Sequence, residues 1–239
     1  MLVKMQLKDK VALITGASSG IGKETALLFA KEGALVVLTA RNIDKLKEVE
    51  NEIKNNNGKA ESYSMDITDR NQVYTVISQV IKDNGRIDIL VNSAGIVKWS
   101  SIEDTSYEDF DEQVKFNLTG SFNTIKETAP IMIKQKSGNI VNIITSTVKK
   151  TKSGRVAYAA SKYGQAGLSN AVHEDLKDKG ISVVAVYPSK TNTPIHDPYM
   201  SKDDPQREKM LKPEKVAEVV LEAALIPTEK DVKELVVNP

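Results

Sequence analysis

The chain of 239 residues has a formal net charge of +1 and contains no cysteine. The near-neutral charge argues against a nucleic-acid or anionic-membrane partner, and the lack of cysteine excludes disulfides and thiolate chemistry. No apolar run approaches the ~20 residues that span a bilayer, and the N-terminus reads as a short polar lead-in, so we expect a cytoplasmic location.

Short apolar segments alternate with amphipathic segments along the whole chain. Strands buried on both faces of a parallel sheet read as continuous apolar runs, and such runs predict strands over 11–15, 34–39, 60–65, 87–91, 139–145, 181–187 and 233–237. The amphipathic segments predict helices over 21–32, 42–56, 69–84, 107–115, 120–135, 155–179 and 213–225. Asp69 is suited to cap the third helix, and Gly180 to end the sixth. The repeated βαβ order predicts an α/β fold over 1–239, a doubly wound seven-stranded parallel sheet with helices on both faces.

A glycine-rich turn follows the first predicted strand and opens the first helix. Its sequence is Thr15-Gly16-Ala17-Ser18-Ser19-Gly20-Ile21-Gly22. Glycine lets a phosphate approach the backbone, and the free N–H groups of the helix start face an anion. The strand, turn and helix together predict a dinucleotide site of the Rossmann type. The contacts expected from this turn are Gly16, Ser18, Ser19, Gly20, Ile21 and Gly22.

The end of the second predicted strand indicates which dinucleotide binds. An acidic residue there would hydrogen-bond the adenosine ribose of NAD, but the chain reads Ala40-Arg41-Asn42. A guanidinium can clamp a 2′-phosphate through two hydrogen bonds. The sequence therefore favours NADP(H), bound by Arg41, over NAD(H). The alternative is that Arg41 is only a solvated loop cation.

A tyrosine and a lysine lie four residues apart near the start of the sixth predicted helix, in Tyr158-Ala159-Ala160-Ser161-Lys162. This spacing puts Tyr158 and Lys162 on one face, with Cβ atoms about 5–6 Å apart. A nearby ammonium favours the phenolate, so we expect the pKa of Tyr158 to lie below its usual value of ~10. Such a pair can act as general acid and base on a carbonyl or an alcohol. By itself the spacing is more typical of a plain surface pair.

Four separated motifs resemble the short-chain dehydrogenase/reductase family in order and spacing over nearly the whole chain. They are Thr15-Gly16-x-x-x-Gly20-x-Gly22, Asn92-Ser93-Ala94-Gly95, Phe116-Asn117-Leu118 and Tyr158-x-x-x-Lys162. The resemblance implies that Tyr158 transfers a proton while the nicotinamide transfers a hydride. It also implies that Lys162 holds the nicotinamide ribose and that Asn117 supports a water in a proton relay to Lys162. A structural amide is the alternative for Asn117.

The resemblance implies an NADP(H)-dependent oxidoreductase that interconverts a carbonyl and a secondary alcohol on a small molecule. Reducers of 3-oxoacyl thioesters, carbonyl reductases and sugar dehydrogenases share these motifs, so a polyol dehydrogenase is an alternative. A non-catalytic NADP(H)-binding sensor or scaffold is the alternative of another class. Further cofactor contacts are implied at Asp66, Ile67, Asn92, Ala94, Gly95, Pro188, Ser189, Thr191 and Thr193. Ser93 and Ser189 depart from the family's usual asparagine and glycine.

The family serine that polarises the substrate oxygen is replaced here. Counting seven residues on from Gly138, or thirteen back from Tyr158, gives Thr145. Threonine keeps the hydroxyl, and side chains alternate along a strand, so only one of Thr145 and Ser146 is expected to face the substrate. We favour Thr145, with Ser146 as the alternative if the strand end bulges.

Residues 194–212 are polar and proline-containing, and we expect them to form a mobile substrate lid. The cations Lys149, Lys150, Lys152 and Arg155 precede Tyr158 and either attract an anionic substrate or form a solvated loop. The histidines His173 and His196 lack metal-ligand spacing, so no metal site is expected.

Assembly is suggested by the fifth predicted helix together with the resemblance. The family commonly forms tetramers or dimers through its long helices. The helix over 120–135 presents Phe122, Ile125, Ala129 and Met132 at helical spacing, which suits either core or interface. We expect a homotetramer, or else a homodimer.

Overall fold

The computed structural model describes residues 5–238. The strands are β1 Val11–Thr15, β2 Leu35–Ala40, β3 Lys59–Ser64, β4 Ile89–Asn92, β5 Gly138–Ile143, β6 Ile181–Pro188 and β7 Glu234–Val237. The α-helices are α1 Gly20–Lys31, α2 Ile43–Asn55, α3 Arg70–Asn84, α4 Tyr107–Val114, α5 Gly120–Gln135, α6 Val156–Leu176 and α7 Pro213–Ala224. All predicted strands and helices are present, with ends shifted by three residues or fewer.

The strands form one parallel sheet in the order β3-β2-β1-β4-β5-β6-β7. The chain runs outward from β1 to β3, returns beside β1 as β4, and then runs outward on the other side. The predicted doubly wound, single-domain Rossmann architecture is therefore confirmed. In such sheets a crevice opens at the carboxyl ends of the strands where the winding direction reverses, here between β1 and β4.

The core has two layers, one on each face of the sheet. Side chains alternate along a strand, so Ile14 of β1 joins one cluster and the adjacent Leu13 joins the other. Helices α1, α2 and α7 cover the first face, and α3, α5 and α6 cover the second. This arrangement explains the continuous apolar runs of the strands, because both faces of the sheet are buried.

Helix ends follow the predicted capping residues. The Asp69 carboxylate accepts hydrogen bonds from the backbone N–H groups of Asn71 (2.9 Å) and Gln72 (3.2 Å) at the start of α3. Gly180 ends the sixth helical segment with φ of 77°. The last three predicted residues of that segment, Lys177–Lys179, form a 3₁₀ turn, so the α-helix itself is shorter than predicted.

The apolar side chains of α5, which the sequence assigned to either core or interface, differ in their burial. Ile125 and Met132 are buried in the core, whereas Phe122 is 44% exposed on the outer surface. A π-helical segment, Lys115–Thr119, joins α4 to α5 directly. None of the helices within residues 5–238 has the length and apolar character needed to cross a membrane.

Candidate active site

A cleft of about 620 Å³ opens at the reversal point of the sheet. Its lining comes from the turns after the first six strands, from the π-helical segment before α5 and from the first turns of α6. Most of the predicted site residues line it, and four do not: Gly22, Asp66, Asn92 and Asn117. The position agrees with the general rule that ligands of open α/β sheets bind outside the carboxyl ends of the strands.

The glycine-rich turn is packed against the turn that follows β4. Gly16 has φ of +68°, and a Cβ atom on it would lie 2.8 Å from the Ala94 Cα. A Cβ atom on Gly22 would lie 2.4 Å from the Gly16 carbonyl oxygen. Gly22 is therefore required for packing, and its predicted cofactor contact stays a prediction.

The start of α1 faces this cleft. Ser19 precedes the helix, and its side chain does not cap the helix N–H groups. The first turn carries no acidic residue, so its positive helix-dipole end is not offset locally. Gly20 has φ of +55°, and its missing side chain leaves room beside the Thr193 methyl group. Exposed N–H groups with this close backbone approach suit a diphosphate.

Arg41 follows β2 and lies on the rim of the cleft. Its guanidinium carbon is 5.0 Å from the centre of the Phe116 ring, a cation–π contact that orients the charge. Asn42 and Lys45 line the same end, and the Asn42 side chain accepts a hydrogen bond from the Lys45 N–H (3.0 Å) to cap α2. No carboxylate is present among the described residues that line the cleft. This end is built to hold a negative charge.

Tyr158 and Lys162 both line the cleft from α6. Burial raises the pKa of Tyr158, while the nearby Thr145 hydroxyl and the Arg155 charge act in the opposite direction. The predicted lowering of this pKa by Lys162 is wrong. Lys162 is itself buried, and burial lowers its pKa to about 7, so the ammonium is only partly populated at neutral pH.

A chain of buried hydrogen bonds holds Lys162. Its Nζ donates to the Ile143 carbonyl (3.1 Å) and to Gln165 Oε1 (2.8 Å). Gln165 Nε2 donates to Ser121 Oγ (2.8 Å), which donates to the Asn117 carbonyl oxygen (2.9 Å). Two side chains thus connect Lys162 to Asn117, where the family resemblance implied a water.

The sequence analysis missed Gln165 and Ser121. Their helical spacing was the available signal, because Gln165 is three residues after Lys162 and Ser121 is four after Asn117. The spacing did not predict that α5 and α6 bring these two polar side chains together, where each is 1% exposed.

Asn117 lies in the π-helical segment between α4 and α5 and is fully buried. Its side-chain amide accepts from the Ile96 N–H (2.8 Å) and donates to the Ile96 carbonyl (3.0 Å) and to Ser161 Oγ (2.9 Å). The side chain therefore ties the segment after β4 to α6, and only the main-chain carbonyl reaches the Lys162 chain. π-Helical turns are common at functional sites.

Thr145 and Ser146 both line the cleft. Strand β5 ends at Ile143, before these residues, and Ser146–Val148 form a short 3₁₀ turn. Strand alternation therefore does not decide which of the two faces the substrate, and the assignment to Thr145 stays a prediction. Thr145 is the one whose hydroxyl lies close enough to the Tyr158 phenol to affect its pKa.

The side chains of Asn92 and Asp66 make structural hydrogen bonds, and their predicted cofactor contacts stay predictions. Asn92 is buried, donates to Asn142 Oδ1 (2.9 Å) and accepts from the Thr124 hydroxyl (2.7 Å). Asp66 Oδ1 accepts from both the N–H and the hydroxyl of Thr68, each at 2.8 Å, and so shapes the turn after β3. Both side chains are used to hold elements of the fold together.

The segment after β6 forms the opposite wall with Pro188, Ser189, Thr191 and Thr193. Ser189 N–H donates to the Val237 carbonyl (2.9 Å), which joins this segment to β7. Ser189 is not among the described residues with positive φ, so its backbone does not require the glycine that is usual in the family.

Residues 194–212 pack over the far end of the cleft. Tyr199 stacks on Trp99 with ring centres 4.4 Å apart, and its hydroxyl accepts a hydrogen bond from the Trp99 N–H (3.2 Å). The buried Arg207 donates to Asp197 Oδ1 (2.7 Å) and Asn192 Oδ1 (3.0 Å), which holds the segment together. His196 lines the cleft 5.5 Å from Trp99, ring centre to ring centre.

Comparisons with known proteins agree with this geometry. The family model "short chain dehydrogenase" matches residues 10–204. The chain is 39% identical over 226 residues to a 3-oxoacyl-[acyl-carrier-protein] reductase FabG of Thermotoga maritima, covering 91% of each chain. It is 35% identical over 234 residues to an uncharacterized oxidoreductase of Staphylococcus aureus, covering 98% of each. A metagenomic short-chain oxidoreductase solved in complex with NADP matches with a TM-score of 0.85 at 31% identity, covering 98% of each chain. The chain belongs to the short-chain dehydrogenase/reductase family and is an oxidoreductase of that family.

The packing of the glycine turn gives a stability prediction. Gly22→Ala places a methyl group against backbone, which cannot rotate away, so we expect a loss of ~1–3 kcal/mol in unfolding free energy. Gly167→Ala is the matched control, because a Cβ atom there meets no heavy atom within 4 Å inside α6. That control should be neutral or stabilising by ~0.5–1 kcal/mol. Urea unfolding of both variants checks this, and equal stabilities would contradict the packing role.

Proposed function

We propose that this chain is an NADP(H)-dependent oxidoreductase that interconverts a carbonyl and a secondary alcohol. The observation that carries the proposal is that Tyr158, Lys162 and Thr145 meet at one part of a cleft whose other end is formed by the glycine turn and Arg41. Two comparisons support it: a relative named as a 3-oxoacyl reductase and a structural neighbour in complex with NADP.

The cleft suits the cofactor along its length. Arg41 and Lys45 would hold the 2′-phosphate, since two cations and no carboxylate line that end among the described residues. The start of α1 would hold the diphosphate, and Gly95 leaves open the space beside Lys162 Nζ, which is 3.7 Å from where a Cβ atom would be. Lys162 would then bind the nicotinamide ribose.

The proposed chemistry divides between cofactor and protein. When bound, NADP(H) supplies the hydride to the carbonyl carbon or accepts it from the alcohol. Tyr158 gives a proton to the carbonyl oxygen in reduction and takes it back in oxidation. Its raised pKa keeps the phenol protonated at neutral pH, which suits the donor role. Thr145 donates a hydrogen bond to the same oxygen, and Gln165 and Ser121 hold Lys162 in position beside the site.

We also propose a homotetramer, or a homodimer, formed through the surface of α4 to α6. Phe110, Phe122 and Tyr163 are 37–48% exposed there, and buried partners would remove these aromatic rings from water. Residues 194–212 are proposed as the substrate lid, and the cytoplasm as the location, the latter on composition alone.

Replacement of the tyrosine tests the proposed reaction. We expect the wild type to oxidise NADPH with members of a ketone panel, and Tyr158→Phe to lose ~10²–10⁴ in kcat because the proton donor is removed. Tyr163→Phe is the control from the same helix, since its hydroxyl meets only Thr151 at 3.2 Å on the surface. NADPH titration should show similar binding in all three proteins. NADPH binding without turnover of any carbonyl would instead support a sensor.

Cofactor choice is tested at Arg41. Arg41→Ala removes a charge-assisted hydrogen bond worth ~1.5–3 kcal/mol, so we expect the KM for NADPH to rise about 10-fold to 150-fold. The KM for NADH should barely change. Arg70→Ala, an exposed arginine at the start of α3 outside the cleft, is the control. A wild type that uses both cofactors with equal efficiency would refute the assignment.

The two neighbouring hydroxyls are separated by three variants. Thr145→Ala should lower kcat by ~10²–10³ with NADPH affinity intact, because a donor positioned at the reacting oxygen is lost. Thr145→Ser should keep most activity, since the hydroxyl remains. Ser146→Ala should matter much less. The reverse ranking of the two alanine variants in steady-state kinetics would transfer the role to Ser146.

A further inference from the structure

The cleft carries far more positive charge than the chain as a whole. The sequence has 33 basic and 32 acidic residues. The described residues that line the cleft, in contrast, include no acidic residue and seven cations: Arg41, Lys45, Lys150, Lys152, Arg155, Lys162 and Lys190. A cleft lined by one sign of charge concentrates ligands of the opposite sign.

The proposed cofactor accounts for only some of these cations. Arg41 and Lys45 lie at the end assigned to the 2′-phosphate, and Lys162 lies at the reaction centre. The other four come from the connection between β5 and α6 and from the segment after β6. They lie on the Trp99 and His196 side of Tyr158, where the substrate has to enter.

Arg155 is the ordered member of this group. Its guanidinium carbon lies 5.3 Å from the centre of the Trp99 ring, and Nη1 donates to Thr147 Oγ1 (3.1 Å). A guanidinium held against an aromatic ring keeps its remaining N–H groups available for a second partner. Trp99 also stacks on Tyr199 and so connects Arg155 to the segment over the cleft.

Lys190 and His196 both lie near the positive charge of Arg155. Burial lowers the pKa of Lys190 and the Arg155 charge adds to this effect, while the Asp204 carboxylate opposes it. Burial and the charges of Lys190, Arg207 and Arg155 lower the pKa of His196 to about 4, so its imidazole is neutral at neutral pH. His196 Nδ1 is buried and makes no hydrogen bond to the described residues. Like charges held this close raise the free energy of the chain, and the nearby carboxylates of Asp197 and Asp204 offset this only in part.

Lys149 belongs to the same loop but does not line the cleft. Its ammonium pairs with Glu234 and lies 4.6 Å from the centre of the Tyr187 ring, away from the cleft. Lys150, Lys152 and Arg155 line the cleft instead, and no carboxylate pairs with them among the described residues.

We propose that the carbonyl substrate carries an anionic group, a carboxylate or a phosphate, bound by Arg155 and Lys190 beside Trp99, with Lys150 and Lys152 adding to the local field. The inference rests on the proposed function, because it assigns the substrate class of that reaction. Hydride and proton transfer at the carbonyl are unchanged. The anion supplies orientation, since its fixed position places the carbonyl oxygen near Tyr158.

Matched substrates test the proposal. Linear 3-, 4- and 5-oxo carboxylates are compared with their methyl esters at saturating NADPH. We expect kcat/KM to be at least about 10-fold higher for one of the acids than for its ester, and to fall as salt is raised for the acid only. Equal kcat/KM for every acid and its ester, at all salt concentrations, would overturn the proposal while leaving the oxidoreductase reaction established by the esters.

Single variants locate the anion. Arg155→Gln and Lys190→Gln should each lower kcat/KM by about 10-fold or more for the preferred acid relative to its ester, mainly through KM. Lys149→Gln, from the same loop, should behave as wild type. Loss of acid and ester turnover to the same extent in the Arg155 and Lys190 variants would mean a structural role and would refute the anion site.

A binding measurement tests the proposal even if the enzyme reduces none of the oxo compounds. Trp99 is the only tryptophan in the chain, so its fluorescence reports on this end of the cleft. At saturating NADP⁺, we expect acetate or inorganic phosphate to change the emission of wild type and Lys149→Gln, and much less that of Arg155→Gln. The stronger of the two anions identifies carboxylate or phosphate. An unchanged emission in wild type would refute the proposal independently of catalysis.

Discussion

One buried hydroxyl joins the two turns that form the cleft. Thr15 ends β1 with 1% of its surface exposed, and its Oγ1 accepts from the N–H groups of Ser93 and Ala94, each at 3.1 Å. This bond brings the turn after β4 against the turn after β1, so tightly that Gly16 has no room for a Cβ atom. The winding of the sheet opens the crevice, and the Thr15 contacts hold together two of the turns that line it.

The site holds the side chain of Lys162 in a buried position, which is unfavourable for its ammonium group. A buried ammonium is unfavourable unless its donors are satisfied, and here the Nζ partners are neutral oxygens from Ile143 and Gln165. These bonds fix the position of the side chain without supplying a counter-charge, so the pKa of Lys162 is lowered to about 7. The hydrogen bond from Gln165 to Ser121 in turn fixes the position of this lysine.

The sequence predicted what depends on local pattern and failed where distant elements meet. Periodicity located the strands and helices, and Arg41 and the glycine turn were found at the cleft because a turn stays beside its own strand. The structural hydrogen bonds of Asn92 could not be predicted, because its partners Asn142 and Thr124 come from β5 and α5. The direction of the Tyr158 pKa was wrong because burial, a tertiary property, outweighs a neighbour four residues away. The alternation of side chains along β5 did not decide between Thr145 and Ser146, because β5 ends at Ile143, before either residue.

Net charge is a property of the whole surface, whereas binding depends on the local field. A net charge of +1 argues against long-range attraction of nucleic acid or an anionic membrane, and the structure does not change that argument. The same chain nevertheless concentrates cations in one concave region, where low-dielectric walls weaken screening. The acidic residues that balance them lie elsewhere, as Glu234 does when it pairs with Lys149. A near-neutral chain can therefore still hold a small anion in one concave region of its surface.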